Sequence, residues 1–340
     1  LRDTDIKFAH FISVGNKADI NENDVLHFWQ NDNNIKTFTF YLESFVNGKD
    51  FIVPFMNGEI TKPAIVLKAG RTESGMKAAS SHTGALSGKD KVVDALLNQF
   101  GIIRAENLNE LFNTAKGFEC FPLPQGNRVA VVTNAGGPAI LCVDSLEKEN
   151  LALAKLSDET KRKLREFVNS EGSVDNPVDF LPGGSADVYK KAIEIIVDDN
   201  NVDAVISIFV EPVMVAAFQV IENISSIQSE KPILQVVMPL PEFWNEYRNN
   251  SVKKLPLFRN PEDPSEVLSN MLFFNTSQKK LAKNKREYVN QLKLKPARKI
   301  SSKEKFLSQI EIKKLCKEYN LPIIKSKTVN PNKLKELNLD

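Results

Sequence analysis

Short apolar runs alternate with longer amphipathic stretches over the first 275 residues. The short runs are rich in Val and Ile and predict buried strands, while apolar residues at helical spacing predict helices that cover a sheet. Because strands and helices alternate, the pattern predicts an α/β fold with mainly parallel sheets. In residues 1–122 we predict strands at 11–14, 37–42, 65–68 and 102–104, and helices at 25–30, 44–56, 89–99 and 108–121.

A break in this pattern lies at Pro122-Leu-Pro124-Gln-Gly126. Two prolines and a glycine end a helix and redirect the chain, so we place a domain boundary there. A second, doubly wound α/β domain is expected over residues 123–275. Its predicted strands are 129–133, 151–154, 204–210 and 233–238, and its predicted helices are 138–148, 158–168, 186–197, 216–226 and 264–274.

The near-neutral total charge of +2 conceals two unlike regions. Residues 276–340 contain 18 Lys and Arg against 6 acidic residues, whereas residues 1–275 contain 27 against 37. The lysines of 276–300 accompany few apolar residues, which favours a basic linker over a nucleic-acid-binding tail. Ser301 and Glu304 form a capping-box pattern that predicts a helix to about residue 319, followed by a strand from 321.

The composition is typical of a globular protein and favours a cytoplasmic location. Hydrophobic residues make up 42% and charged residues 26% of the chain, close to the averages for such proteins. No apolar run approaches the roughly 18 residues of a membrane-spanning helix, and the first residues lack the layout of a signal peptide. Three widely spaced cysteines indicate neither a disulfide framework nor a thiolate metal site.

The stretch from Gly70 to Gly88 offers the first candidate chemistry. It is rich in glycine, serine and threonine, it connects a predicted strand to a predicted helix, and it contains His82. Ligands bind at the carboxyl ends of the strands in such folds. The stretch matches neither a Walker A loop nor a dinucleotide fingerprint, and no second His or Cys lies near His82 to share a metal ion. A surface loop without chemistry is the competing interpretation.

Two further features lie at predicted strand ends. Glu43 follows the strand at 37–42, so we expect its carboxylate at the same sheet edge as His82. A carboxylate that accepts from one imidazole nitrogen leaves the other nitrogen as a nucleophile, although a solvated acid fits equally well. The turn Thr133-Asn-Ala-Gly-Gly-Pro138 precedes a helix, and its free amides suit a phosphate, although glycines there also serve packing alone.

Five motifs stand in a fixed order along the chain. They are Ser13-Val-Gly-Asn-Lys-Ala-Asp-Ile20, Tyr41-Leu-Glu43, Gly70-Arg71 with Ser81-His-Thr-Gly-Ala-Leu-Ser-Gly88, Thr133-Asn-Ala-Gly-Gly-Pro138, and Asn176-Pro-Val-Asp179. In this order they resemble the ADP-forming acyl-CoA (acetyl-CoA) synthetases, relatives of succinyl-CoA synthetase, over essentially the whole chain. The most specific parts are Ser81-His-Thr-Gly84 and the separation of 39 residues between Glu43 and His82.

The resemblance implies two flavodoxin-like domains and a phosphohistidine enzyme. In that family acyl-CoA and phosphate give an acyl phosphate and free CoA, and the phosphoryl group then passes to a histidine and on to ADP. On this basis His82 is the phosphorylated residue, and Glu43 holds its second nitrogen. The residues expected around the phosphate are Asn134, Gly136, Gly137, Ser81, Thr83 and Gly84. Those expected to contact substrate or neutralise charge are Asn16, Lys17 and Arg71, although structural salt bridges fit Lys17 and Arg71 equally well.

The resemblance also implies CoA, and ADP or ATP with Mg²⁺, as cofactors of the complete enzyme. Residues 1–122 correspond to the phosphohistidine domain without its first strand and helix, 123–275 to the ligase-CoA domain, 276–300 to a linker and 301–340 to the start of a truncated ATP-grasp domain. We therefore expect a fragment that binds no cofactor tightly and has no metal site of its own. Its expected partners are acyl-CoA, phosphate, nucleotide and an ATP-grasp domain or subunit in a homo- or hetero-oligomer, without nucleic acid or membrane.

Two other functions stay open at this point. The same region occurs as an acyl-CoA-sensing part of some protein-lysine acetyltransferases, in which the histidine is usually missing, so His82 argues against this alternative. A non-catalytic subunit-interface module is the other alternative, and it predicts that Glu43 and His82 lie far apart.

Overall fold

A computed structural model describes residues 7–72, 74–75, 90–212, 215–249, 255–291 and 309–318. Residues Leu1–Lys285 form one compact unit and Arg286–Asp340 form another. The boundary that we expect near Pro122 therefore lies inside the first unit.

The first sheet contains three parallel strands in the order β1-β2-β3. They are β1 (Phe38–Leu42), β2 (Ala64–Lys68) and β3 (Ile103–Ala105), and the neighbouring helices are α1 (Glu22–Trp29), α2 (Gly48–Met56), α3 (Asp90–Gln99) and α4 (Leu108–Cys120). Every residue of β2 is buried because a strand lies on each side of it and helices cover the sheet. Ile65 and Leu67 of β2 share a core with Leu111 and Ala115 of α4.

The second sheet is larger and also entirely parallel in its described pairings. Its strands are β4 (Arg128–Thr133), β5 (Ala152–Leu153), β6 (Val178–Asp179), β7 (Ala204–Val210), β8 (Ile233–Met238) and β9 (Leu257–Phe258). Its order is β5-β4-β7-β8-β9, with β6 also paired to β4. The helices are α5 (Gly136–Lys148), α6 (Asp158–Arg165), α7 (Ala186–Val197), α8 (Ala217–Ser225), α9 (Phe243–Asn249) and α10 (Asp263–Gln291).

Asn176 completes the edge of the second sheet between two short strands. Strand β5 pairs with the start of β4, and β6 pairs with its end. In between, Asn176 Oδ1 accepts from the amide of Val131 at 2.8 Å, and its Nδ2 donates to the carbonyls of Val129 and Ala154 at 2.9 Å. One side chain thus pairs backbone groups that a continuous neighbouring strand would otherwise satisfy.

The α/β class and most elements agree with the sequence-based prediction, but the strand expected at 11–14 is wrong. Phe11 and Ile12 are 72% and 47% exposed, and none of the described strands pairs with this segment. An apolar run becomes a strand only where another strand edge accepts its hydrogen bonds, and the local pattern does not show whether one does. Strands β6 and β9, at two residues each, and helix α9 were missed because they are too short to show a period.

The linker expected at 276–300 also needs correction, because α10 continues to Gln291. Lysine, arginine, glutamate and alanine favour helix even where little apolar surface is buried, so a basic composition does not by itself end a helix. The helix expected after Ser301 is described as α11 (Gln309–Glu318), whereas the strand expected from 321 lies outside the described residues.

Helix α10 packs against both sheets. Val267 and Met271 join the core under the second sheet, while Phe274 joins the core of the first. Gly117 of α4 permits the close approach of α10, because a Cβ at this position would overlap the Val267 side chain.

We expect Gly117→Ala to lower the free energy of unfolding by about 2 kcal/mol, because overpacking at Val267 outweighs the gain in helix propensity. Urea unfolding measures the change. Gly48→Ala is the matched control, since a Cβ at this helical glycine meets nothing within 4 Å. Equal stability of the two variants would show that α4 and α10 can move apart without loss of folding free energy.

Glu266 on α10 makes the stability of the unit depend on pH. Burial and the carboxylates of Glu110 and Glu149 raise its pKa from 4.5 to about 7, with Asp263 adding to the effect and Lys148 opposing it. The folded state therefore holds a proton that the unfolded chain releases near pH 4.5. The associated stability is present below this value and is lost as the pH rises through about 7.

We expect Glu266→Gln to be neutral at pH 4.5 and to stabilise the protein at pH 8 by about 1 kcal/mol, after allowance for solvent screening. Urea midpoints at the two pH values provide the measurement. Glu230→Gln, at an exposed position, should show no such pH dependence. A Glu266→Gln effect that is the same at both pH values would contradict the raised pKa.

Candidate functional site

The carboxyl edge of the first sheet brings several polar side chains together. Leu42, the last residue of β1, pairs with Lys68, the last residue of β2. The amide of Ala69 donates to the carbonyl of Leu42 at 2.8 Å, so the two chains are still adjacent one residue further on. Glu43 directly follows β1, and Arg71 comes shortly after the end of β2, so both lie near the same edge.

Glu43 is half-buried, and its Oε2 atom is buried with no hydrogen-bond partner in the part of the chain that the structure describes. A buried carboxylate oxygen without a partner is costly, so it is suited to accept from an incoming donor. This agrees with the expected role of Glu43 beside an imidazole. His82 itself lies outside the described residues, as do Ser81, Thr83 and Gly84, so the contact between Glu43 and His82 stays a prediction.

Lys17 supports the segment after Glu43. Its ammonium forms an ion pair with Glu22 Oε2 at 2.8 Å and donates to the carbonyl of Ser44 at 2.5 Å. Glu22 is buried, and its Oε1 accepts from the amide of Val46 at 2.7 Å. The charge of Lys17 is thus matched by a protein carboxylate, as the structural alternative for this residue proposed. Asn16 is exposed in the preceding turn.

Two arginines tie together the residues that flank the segment 72–89. Arg71 contacts Glu106 Oε1 at 3.2 Å and Asp90 Oδ2 at 3.8 Å. Arg104 contacts the other oxygen of Asp90 at 2.5 Å and Asp94 Oδ1 at 2.7 Å. Burial opposes the charge of Arg104, but the hydrogen bonds that it donates to Asp90 and Asp94 raise its pKa overall. Arg71, with 34% of its side chain exposed and longer contacts, is the more available cation of the two.

Lys68 is a residue of this edge that the sequence analysis missed. It is buried, and its ammonium donates to the carbonyl of Ala69 at 3.1 Å. Burial lowers its pKa, an effect that Arg104 reinforces and Asp90 opposes. The available signal was a lysine that ends an otherwise apolar strand, Ala64-Ile-Val-Leu-Lys68.

The carboxyl edge of the second sheet is organised by Asn134. Its Nδ2 donates to the carbonyl of Val210 at 2.8 Å, and its Oδ1 accepts from the amide of Val210 at 2.9 Å. The side chain therefore extends the pairing of β4 and β7 beyond the end of β4, at the point where the strand order changes direction. It positions the following turn, and its predicted contact with phosphate stays a prediction.

The N-terminus of α5 presents exposed backbone at Gly136 and Gly137. The N-cap residue Ala135 forms no side-chain cap, and the first turn contains no acidic residue. Free amides and the positive end of the helix dipole suit an anion. Asp179 is a second residue that the sequence analysis did not assign, and its Oδ2 lies about 4.0 Å from where a Cβ on Gly136 would be.

The described residues contain no group of three His, Cys, Asp or Glu side chains arranged to hold a metal ion. In the same part of the chain, no helix is long and apolar enough to cross a membrane.

Two family models match the sequence. Residues 1–118 match the succinyl-CoA ligase like flavodoxin domain, and residues 129–240 match the Ligase-CoA domain. The first match contains Glu43 and His82, and the second contains Asn134 and Asp179.

Relatives with curated names are similar over most of the chain. The alpha subunit of acetate–CoA ligase [ADP-forming] II from Pyrococcus furiosus is 36% identical over 267 residues, 76% of this chain and 58% of that protein. The 4-hydroxybutyrate–CoA ligase [ADP-forming] from Nitrosopumilus maritimus is 32% identical over 331 residues, 94% of this chain and 47% of that protein. The chain thus spans about half the length of these relatives.

A solved structure is similar in fold. It is the dinucleotide forming acetyl-coenzyme A synthetase 1 of Ca. Korarchaeum cryptofilum, in complex with phosphate and ADP. The TM-score is 0.72 at 27% identity, and the match covers 80% of this chain and 60% of the other.

We expect Asn134→Ala to lower the free energy of unfolding by about 2 kcal/mol, because the amide and carbonyl of Val210 lose their partner in a buried place. Urea unfolding measures this change. Asn127→Ala is the control, since Asn127 is exposed and donates a single long bond of 3.4 Å to Asn150. An equal and small effect of both substitutions would contradict the role of Asn134 in joining β4 and β7.

Proposed function

Because this chain belongs to the family of ADP-forming acyl-CoA synthetases, we propose that it provides the phosphohistidine-bearing part of such an enzyme. The overall reaction converts acyl-CoA, phosphate and ADP to a carboxylic acid, CoA and ATP. The observation that best supports the proposal is the buried Glu43 Oε2, which has no partner among the described residues, at the sheet edge where the flanks of the His82 segment meet.

The chemistry follows from one hydrogen bond. If Glu43 accepts the N–H of one imidazole nitrogen, the tautomer of His82 is fixed and the other nitrogen keeps its lone pair. That nitrogen attacks the phosphorus of an acyl phosphate, the P–O bond to the acyl group breaks, and a carboxylate leaves. An oxygen of ADP then attacks the same phosphorus, and the N–P bond breaks to regenerate the imidazole.

Positioning and charge neutralisation account for most of the catalysis of phosphoryl transfer. The exposed amides of Gly136 and Gly137 at the start of α5 are suited to hold phosphoryl oxygens, with Asn134 fixing the turn that presents them. Arg71 is suited to add positive charge because its contacts with Glu106 and Asp90 are long. We propose that both edges face one shared phosphate site.

The remaining ligands belong to the complete enzyme. We propose that CoA and nucleotide bind with the help of a CoA-binding domain and an ATP-grasp domain or subunit, in a cytoplasmic oligomer. Mg²⁺ would accompany the nucleotide and neutralise its phosphate charge, but no three described side chains form a site for it. Residues 301–340 would begin the ATP-grasp domain. The domain division at 122 and 275 belongs to the same proposal.

Phosphoryl transfer to the chain tests the proposal directly. We expect incubation with ³²P-labelled acetyl phosphate to give acid-labile, alkali-stable label, and His82→Ala to abolish it. Glu43→Gln should slow labelling by about 100-fold, because the tautomer is no longer fixed by a charge. Glu59→Gln, at an exposed position before β2, should label like the wild type. Full labelling of His82→Ala would overturn the proposal.

A further inference from the structure

Lys68 occupies the centre of the carboxyl edge of the first sheet. It ends β2, the strand that pairs with β1 on one side and with β3 on the other. Lys68 is only 3% exposed, and its ammonium donates to the carbonyl of the next residue, Ala69, at 3.1 Å. The ammonium is therefore directed forward, to the sheet edge, and two of its three N–H groups are available to another acceptor.

Lys68 differs from the other cations around it. Arg71 and Arg104 each contact two carboxylates, as described above. Among the described residues no carboxylate lies within ion-pair distance of the Lys68 ammonium, and Asp90 acts on it only through longer-range attraction. A buried ammonium that has one neutral acceptor is costly unless an anion compensates it. The cluster thus contains one cation that the described protein carboxylates leave without a direct counterion.

Glu43 does not provide that counterion. It follows Leu42, the register partner of Lys68, so the two opposite charges end adjacent strands. Among the residues that the structure describes, the two form no ion pair, and Glu43 Oε2 has no hydrogen-bond partner. Each group is therefore available to a ligand, the buried Oε2 of Glu43 to an N–H donor and the ammonium of Lys68 to an anionic oxygen.

We propose that Lys68 binds the phosphoryl group at this edge of the sheet, with its ammonium donating to a phosphoryl oxygen during transfer. The inference rests on the proposed function. In a buried place of low dielectric, this charge acts more strongly on the developing negative charge than an exposed lysine would. Arg71 then acts as the outer cation, and Arg104 as the structural one.

The test separates binding from folding by measuring labelling against the concentration of acetyl phosphate. Lys68→Met should raise the half-saturating concentration at least about tenfold and lower the maximal rate. Lys68→Arg should bring the half-saturating concentration and the maximal rate back towards the wild-type values, because arginine keeps the positive charge. Lys62→Met is the matched control, since Lys62 precedes the opposite end of the same strand and donates to the carbonyl of Asp32. It should leave both values unchanged. Thermal melting reports the folded fraction of each variant.

The dependence of the labelling rate on pH separates the two roles, because a lysine with only a structural role would not change it. Burial lowers the pKa of Lys68, so wild-type labelling should fall at alkaline pH as the ammonium loses its proton. In Lys68→Arg this alkaline limb should shift to higher pH, because a guanidinium keeps its proton.

The outcomes distinguish this inference from the function on which it rests. Absence of label in the wild type would overturn the proposed function. Label in the wild type, together with an unchanged half-saturating concentration in folded Lys68→Met, would overturn the role of Lys68 alone. An alkaline limb that is identical in wild type and Lys68→Arg would also overturn it.

Discussion

The parallel pairing of β2 between β1 and β3 is the constraint on which the candidate site depends. Because all three strands run in one direction, the residues that follow them meet at a single edge. Glu43 follows β1, whereas Lys68 ends β2 and Arg71 comes shortly after it, and backbone hydrogen bonds such as that between Ala69 and Leu42 hold the two strand ends adjacent. The apolar sequence of β2 allows this, since a fully buried strand must be paired on both sides.

In the second sheet, side-chain amides continue the hydrogen bonding between strands where backbone pairing ends. Asn176 fills the interval between β5 and β6, and Asn134 joins the ends of β4 and β7. Both residues lie in the motifs that carry the sequence resemblance, and the structure gives each a backbone-pairing role that needs both an oxygen and an N–H₂ group. Their place in the motifs therefore has a physical reason that is independent of any contact with phosphate.

The charged residues at the first sheet edge fall into two groups. Arg104 and Lys17 are neutralised by nearby carboxylates and support the chain. Among the described residues, the buried Oε2 atom of Glu43 has no hydrogen-bond partner and the buried ammonium of Lys68 has one neutral acceptor, an energetic cost that ordinary packing does not require. Strain of this electrostatic kind is expected where a protein is preorganised for a charged ligand.

The sequence by itself determined the α/β class, most strands and helices, and the two strand-end motifs, because buried strands and amphipathic helices leave a local hydrophobic period. It wrongly predicted a strand at 11–14, and it did not determine the length of α10 or the buried position of Lys68. A strand needs a partner edge, a basic helix shows no apolar period, and a lysine at a strand end has the same sequence signature whether paired or not. Only the tertiary structure decided these points, since each depends on what a distant part of the chain brings beside it.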